Sequence, residues 1–194
     1  MKVAIIKYNA GNTASVTNAL KRLGVEPTVT DDAEELRQAD KVIFPGVGEA
    51  SSAMKYLCER GLGSVIKTLT QPVLGICLGM HLLCESSDEN NADCLGVFPG
   101  RVRKFEAAGL KVPHVGWNRI SGLNSSLFTG IDADSYVYFV HGYYVEQIKE
   151  TTARCEYGIR FAAGIESGNF YAVQFHPEKS GPAGARILEN FLNL

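Results

Sequence analysis

The chain of 194 residues has no apolar run near the roughly 20 residues that a membrane-spanning helix requires. Its first residues, MKVAIIKYNAG, hold too short an apolar stretch for a secretory signal peptide and no small-residue cleavage pattern. The formal net charge is only −2, so we expect neither a nucleic acid nor a membrane as a partner. These absences predict a cytoplasmic protein.

The sequence also lacks the usual patterns for metals, disulfides and bound phosphates. Its five cysteines form no CxxC pair and are odd in number, which favours reduced thiols over a disulfide framework. Neither G-x-x-x-x-G-K-[ST] nor a G-x-G-x-x-G segment after the first strand is present. We therefore expect no metal and no cofactor.

The first half of the chain alternates short β-rich runs with helical patterns, which is typical of a parallel sheet covered by helices on both faces. Asn12 precedes the first helical pattern and is a candidate N-cap. A polar loop over 86–93 is expected to be exposed. The predicted strands cover 2–7, 26–30, 41–44 and 72–76, and the predicted helices 12–24, 33–39, 49–60 and 79–85.

The second half is β-rich and ends in one helix, over 182–192, which has a proline in its first turn. We predict an α/β fold with an open, mixed, mostly parallel sheet, in one domain spanning residues 1–194. The strands expected in this half are 96–105, 111–120, 136–146, 152–157, 161–166 and 169–175.

Cys77 lies in the segment Gly75-Ile76-Cys77-Leu78-Gly79, between a predicted strand and a predicted helix. This arrangement is typical of a nucleophile elbow, with sulfur in place of the serine oxygen. The partial positive charge of a helix N-terminus favours a thiolate, and the amide of Leu78 is a candidate donor to an oxyanion. The alternative is a buried structural cysteine.

A cysteine nucleophile needs a base and a group that orients the base. His176 follows an apolar strand, and Pro177 favours an extended backbone at His176. Residues two apart in an extended segment face the same side, so Glu178 is a candidate partner for the imidazole. If the pair stood alone, a histidine at a strand end beside a solvated glutamate would be the simpler interpretation.

The loop Pro45-Gly46-Val47-Gly48 also follows a strand, where open α/β sheets bind ligands. Its glycines let the backbone approach a substrate closely. Gly46 and Val47 are thus candidates for a second oxyanion donor.

In this order and spacing, PGVG, GICLGM and FHPEKS resemble the class I (triad-type) glutamine amidotransferases over nearly the whole chain. YNAGN, HVGWN and YFVHGY are further similar to the glutaminase subunits of imidazole glycerol phosphate synthases. The resemblance implies a flavodoxin-like fold. It also implies a nucleophile, a base and an orienting carboxylate, namely Cys77, His176 and Glu178, that hydrolyse L-glutamine to glutamate and ammonia through a thioester.

By the same resemblance, glutamine is held by Gly48, residue 81, Gly142 and Tyr143. Two of these positions depart from the family pattern. His81 stands where a glutamine is common, and Gly142 where Ser or Thr is usual. A charged His81 would alter nearby pKa values, while a hydroxyl contact would be lost at Gly142.

The resemblance also implies a partner, a (β/α)₈-barrel cyclase that receives the ammonia and forms imidazole glycerol phosphate in histidine biosynthesis. The residues implied for that contact are Asn12, Trp117, Tyr138 and Lys179. Trp117 has the alternative of packing in the core.

Three other functions are considered. One is the glutaminase subunit of another class I amidotransferase, such as pyridoxal 5′-phosphate synthase. The second is a cysteine ester or lactone hydrolase, although in that fold the acid precedes the histidine. The third is a non-catalytic binding module of the same fold.

Overall fold

The computed structural model describes residues 1–106 and 109–194. One large sheet of 11 strands has the order β2-β1-β3-β4-β13-β12-β10-β7-β5-β6, with β11 paired to β12, and β8 and β9 form a second, small sheet. The strands are β1 Val3–Ile6, β2 Thr28–Thr30, β3 Lys41–Phe44, β4 Val73–Ile76, β5 Ser86–Ser87, β6 Ala92–Asp93, β7 Arg101–Lys104, β8 His114–Arg119, β9 Tyr136–His141, β10 Tyr143–Val145, β11 Thr151–Tyr157, β12 Ile159–Ser167 and β13 Phe170–Val173.

Helices pack on both faces of the large sheet. The helices are α1 Thr13–Arg22, α2 Ala33–Gln38, α3 Ala50–Glu59, α4 Leu62–Lys67, α5 Leu78–Leu83 and α6 Gly181–Leu192, with short 3₁₀ turns at Glu89–Asn91, Ser126–Phe128 and Pro177–Lys179.

The buried strand β1 shows how the sequence builds two cores. Ala4 and Ile6 pack into a core with α2, α3, α4 and α5, whereas Val3 and Ile5 pack into a core with α1 and α6. Successive side chains of a strand point to opposite faces, so a strand covered on both sides is apolar throughout.

The predicted mixed α/β sheet is confirmed. Strands β2, β1, β3, β4 and β13 pair in parallel, and the β-rich second half adds antiparallel pairs. The parallel carboxyl ends of β3, β4 and β13 bring three segments together: the PGVG loop, Cys77 and the strand that leads to His176.

Several sequence predictions differ from the structure. The predicted strand 136–146 is two strands, because the chain leaves the small sheet after β9 and enters the large sheet as β10. Helix α4 was not predicted, since its six residues begin after Gly61 and are too few to show a clear period. The predicted exposed loop 86–93 instead pairs β5 with β6 at the sheet edge and buries Ser87.

The prediction that Asn12 caps α1 through its side chain is wrong. Asn12 precedes the helix with φ 81°, and its side chain makes no capping hydrogen bond. Its amide Nδ2 donates instead to the carboxylate of Glu178, at the other end of the chain. Within the described ranges, no helix is long and apolar enough to cross a membrane.

Candidate active site

Cys77 occupies a sharp turn between β4 and α5. Its backbone has φ 51° and ψ −105°, a combination that non-glycine residues rarely adopt and that is retained where the surroundings enforce it. The Cys77 amide donates to the Val173 carbonyl at 2.8 Å, which fixes the turn against β13. Gly79 makes the turn possible, because a Cβ there would lie 1.8 Å from the Phe44 carbonyl oxygen.

His176 and Glu178 form a buried pair next to the turn. His176 Nδ1 lies 2.8 Å from Glu178 Oε1, and both side chains are fully buried. Because an ionised carboxylate only accepts hydrogen bonds, Nδ1 carries the proton and Nε2 is directed away from Glu178. Nε2 is itself buried and without a hydrogen bond among the described residues.

The surroundings of His176 act on its pKa in opposite directions. Burial alone lowers that pKa, but the nearby Cys77 sulfur and the Glu178 carboxylate outweigh it and raise the pKa to about 10. Both neighbouring groups therefore favour the protonated form of His176, which suits a base that must take up a proton.

Two further groups contact the sulfur. Gln174 Nε2 lies 3.7 Å and the Val140 carbonyl oxygen 3.8 Å from Cys77 Sγ. The amide can donate to a thiolate, and the carbonyl can accept from a neutral thiol. Gln174 was not singled out in the sequence, although alternation along the segment before His176 places both side chains on one side.

The PGVG loop lies against the start of α5. The amide of Leu78, predicted as an oxyanion donor, donates at 3.3 Å to the carbonyl of Gly46. On either side, Tyr8 Oη donates to the Pro45 carbonyl at 2.6 Å, and the Gly11 amide donates to the Val47 carbonyl at 3.0 Å. The peptide between Gly46 and Val47 therefore directs its carbonyl oxygen towards the Leu78 amide. The Val47 N–H, which was predicted as a second oxyanion donor, does not occupy that position.

A cavity of about 230 Å³ opens beside Cys77. It brings together the predicted residues of the PGVG loop and of the substrate set. Glu89 and His141 also line it, and neither was predicted from the sequence, Glu89 because its segment was interpreted as an exposed loop. The predicted residues in the lining are Val47, Gly48, Cys77, Leu78, His81, Gly142 and Tyr143.

His81 is neutral in this setting. Burial lowers its pKa to about 4, although its hydrogen bond with Gln174 acts in the opposite direction. Its Nε2 lies 2.8 Å from Gln174 Oε1. The charged His81 considered from the sequence therefore does not arise at neutral pH.

His141 continues into a buried polar chain. Its Nδ1 donates to the Tyr143 carbonyl at 2.7 Å, so its Nε2 accepts from His114 Nδ1 at 2.9 Å. Burial lowers the pKa of His141 to about 3 and that of His114 to about 4. Both rings are therefore neutral, and their hydrogen bond connects the cavity wall at His141 to strand β8 of the small sheet.

These lowered pKa values predict acid lability. A histidine whose folded-state pKa lies below its unfolded value loses its contribution to stability as pH falls from about 6.5 towards the folded value. For His81 and His141 together, we expect the free energy of unfolding to fall by about 3 kcal/mol between pH 6.5 and 5. Urea denaturation at the two pH values measures this loss.

The His81→Gln variant provides the control for this loss. One titrating group is then absent, so the loss over the same interval should shrink by about 1.5 kcal/mol, which is the share expected from His81 alone. An equal loss in both proteins would show that His81 does not resist protonation in the folded state.

The described residues contain no group of three or more His, Cys, Asp or Glu side chains that could hold a metal ion. All five cysteines are free thiols. The polar groups that line the cavity include the thiol of Cys77, the imidazoles of His81 and His141, and the carboxylate of Glu89.

The residues implied for a partner lie together on the surface next to this site. Trp117 is 54% exposed, which excludes its alternative interpretation as a core residue, and its ring meets Tyr138 edge-on at 6.0 Å. Lys179 Nζ lies 6.0 Å from the centre of the same tyrosine ring. The backbone connects this surface to the base, because the His176 amide donates to the Tyr138 carbonyl at 2.9 Å.

The sequence profile of the family described as "Glutamine amidotransferase class-I" matches residues 4–194. Among curated proteins, a chain from Bacteroides fragilis named imidazole glycerol phosphate synthase subunit HisH is 59% identical, with both chains covered completely. The protein of that name from Bacteroides thetaiotaomicron is 54% identical, again over both complete chains.

Solved structures show the same fold at lower identity. A glutamine amidotransferase matches with a TM-score of 0.77 and 22% identity, over 98% of this chain and 97% of that one. Another glutamine amidotransferase, from Thermotoga maritima, matches with a TM-score of 0.69 and 17% identity, over 100% and 83%. This chain belongs to the class I glutamine amidotransferase family.

Proposed function

We propose that the chain is the glutaminase subunit of an imidazole glycerol phosphate synthase and hydrolyses L-glutamine at Cys77. The observation that carries the proposal is the unsatisfied, buried Nε2 of His176, beside the Cys77 sulfur and with Nδ1 held by Glu178. A nucleophile, a base and an orienting carboxylate in this relation are what acyl transfer through a thioester requires.

In the proposed reaction, Cys77 and His176 exchange one proton. The imidazole takes the thiol proton, and the thiolate attacks the side-chain amide carbon of glutamine. His176 then gives the proton to the leaving nitrogen, which departs as ammonia and leaves a thioester. Water, deprotonated by His176, then attacks the thioester carbon and the carbon–sulfur bond breaks. Glutamate is released, and His176 returns the proton to the Cys77 sulfur.

The cavity offers suitable contacts for glutamine. Glu89 is half-buried at the cavity, and its carboxylate suits the α-ammonium group. The neutral His81 has a ring nitrogen available as an acceptor, and the backbone at Gly48, Gly142 and Tyr143 completes the wall. At about 230 Å³, the cavity is smaller than typical sites for drug-sized ligands, as an amino acid would require.

Oxyanion stabilisation needs a change from this structure. The Leu78 amide is engaged by the Gly46 carbonyl, so a carbonyl oxygen occupies the position that a tetrahedral intermediate would use. The flanking carbonyls of Pro45 and Val47 are anchored. We propose that rotation of the Gly46–Val47 peptide alone frees the Leu78 amide and turns the Val47 N–H towards the oxyanion. Binding of the substrate or of the partner would favour this rotated peptide.

A cyclase subunit, taken to be a (β/α)₈ barrel, is the proposed partner. Trp117, Tyr138 and Lys179 form an aromatic and cationic surface that contacts the segment of His176, and Asn12 binds Glu178 directly. A partner bound on this surface would touch the groups that orient the base and receive ammonia beside its source.

The relatives named imidazole glycerol phosphate synthase subunit HisH favour this subunit over that of pyridoxal 5′-phosphate synthase. Membership of the amidotransferase family disfavours an ester or lactone hydrolase. The assembled Cys77, His176 and Glu178 disfavour a non-catalytic module. We further propose that residues 1–194 act as one glutaminase domain in the cytoplasm, where its thiols stay reduced.

The partner proposal predicts a specific loss in two interface variants. We expect Trp117→Ala and Lys179→Glu to weaken stimulation of glutamine hydrolysis by the cyclase at least tenfold, since central aromatic and charged anchors carry most binding energy. Hydrolysis without the cyclase should stay within about twofold of the unmodified protein, because neither side chain lines the cavity.

Glutamate release, measured over a range of cyclase concentrations, provides the test. Lys55→Glu is a matched control, because this exposed lysine lies on α3, away from the proposed surface. Unchanged stimulation in both Trp117→Ala and Lys179→Glu would place the partner elsewhere, and equal loss in the control would show a charge effect only.

A further inference from the structure

Gln174 connects the nucleophile to the cavity wall. Its side chain is completely buried between Cys77 and His81. Its Nε2 lies 3.7 Å from Cys77 Sγ, while its Oε1 lies 2.8 Å from His81 Nε2. Gln174 takes no part in the proton transfers between Cys77, His176 and the substrate.

The hydrogen bonds fix which atoms of this chain carry protons. A neutral imidazole has one N–H, and Gln174 Oε1 can only accept, so the proton of His81 lies on Nε2. His81 Nδ1 then carries a lone pair and belongs to a side chain that lines the cavity. At the other end, the amide N–H of Gln174 is placed to donate to a thiolate.

A second arrangement of the same atoms satisfies a neutral thiol. If the Gln174 amide turns over, Oε1 accepts from the S–H of Cys77, and Nε2 donates to His81 Nε2. The ring proton of His81 must then move to Nδ1, which becomes a donor towards the cavity. Between these two arrangements, the charge on sulfur and the tautomer of His81 change together, with no net gain or loss of protons by Gln174 or His81.

We propose that Gln174 is a positioning residue that couples the ionisation of Cys77 to the tautomer of His81, and thereby to the hydrogen bonds offered to the substrate. The inference rests on the proposed function of the cavity and names a further part of it. An N–H group of bound glutamine that donates to His81 Nδ1 selects the thiolate arrangement. The substrate thus favours the charged form of its own nucleophile.

Other ionisable groups surround the sulfur and remain in place in the variants below. His176 lies next to it with Glu178 behind, and Tyr8 lies under the PGVG loop. His141 and Glu89 face it across the cavity. Substitution of Gln174 removes none of these ionisable groups.

The test is the pH profile of Cys77 alkylation by iodoacetamide, followed by mass spectrometry of the peptide that carries Cys77. In Gln174→Met, which keeps the volume and removes the donor, we expect the midpoint to rise by about one pH unit. Below the midpoint, alkylation should slow about tenfold. The control Gln71→Met removes an amide that binds the Leu36 carbonyl outside the cavity, and should not move the midpoint.

Variants at His81 separate coupling from a local effect. His81→Leu leaves the Gln174 amide free to turn and should raise the midpoint of Cys77 alkylation. His81→Gln keeps a donor for Gln174 Oε1, so its midpoint should equal that of the unmodified protein. In the double variant, His81→Leu should add almost nothing to Gln174→Met, because both act through one hydrogen-bonded chain.

An unchanged midpoint in folded Gln174→Met, or additive shifts in the double variant, would overturn the coupling. If Gln174→Met does not fold, as judged by circular dichroism, the two His81 variants provide the test. Equal alkylation midpoints in His81→Leu and His81→Gln would then overturn the coupling. Failure of the proposed function would give a different result, because Cys77 would then be unreactive in the unmodified protein as well.

Discussion

Replacing Cys77 with alanine should abolish glutamine hydrolysis. We expect kcat to fall on the order of 10⁵-fold, the scale of losses when the nucleophile of a catalytic triad is removed. Without the thiolate no thioester forms. The only remaining route is direct attack of water on the glutamine amide, which lacks the nucleophile. The measurement is glutamate release at saturating glutamine, with and without the cyclase.

Cys58→Ala is the matched control, because Cys58 is the exposed free thiol of α3 and lies away from the cavity. Its activity should equal that of the unmodified protein within about twofold. Cys77→Ala protein that melts normally and retains more than about a hundredth of the activity would mean that hydrolysis does not proceed through this residue.

Replacing Gly79 with alanine should prevent stable folding. The added Cβ would lie 1.8 Å from the Phe44 carbonyl oxygen, which belongs to the backbone of a central strand and cannot move aside. We expect a loss of at least about 4 kcal/mol, a large part of the 5–15 kcal/mol that typically stabilises a domain. Thermal and urea unfolding, or the recovery of soluble protein, measure it.

Gly142→Ala serves as the comparison, because a Cβ there would meet Val112 Cγ1 at an ordinary 3.8 Å. Its free energy of unfolding should stay within about 1 kcal/mol of the unmodified value. A Gly79→Ala protein as stable as Gly142→Ala would contradict the close approach of β3 to the start of α5.

The sequence indicated those parts of the site that depend on local pattern. The strand Val73–Ile76 is short and apolar and contains the first glycine of the Gly75–Gly79 pattern, so the position of Cys77 just after the strand end could be predicted. The pairing of His176 with Glu178 was predicted from an extended segment, but Pro177–Lys179 forms a 3₁₀ turn, and this turn brings Glu178 to His176. In each case the deciding interactions lie within a few residues of one another.

Contacts between distant segments were not predictable in this way. Glu89 enters the cavity because its polar segment pairs at the sheet edge, which polarity alone does not reveal. Asn12 binds a carboxylate 166 residues away in the chain, although its position favours a helix cap. Likewise, the direction of the Gly46–Val47 peptide is set by Leu78, Tyr8 and Gly11 together.

The central claim is that Cys77 alone among the five thiols is a nucleophile activated by His176. The most direct measurement exposes the protein to a glutamine-mimicking electrophile and locates the adduct by mass spectrometry of its peptides. We predict one adduct, on Cys77, which is lost in His176→Ala and slowed by excess glutamine. Labelling of another cysteine with Cys77 unmodified, or equal labelling without His176, would contradict it.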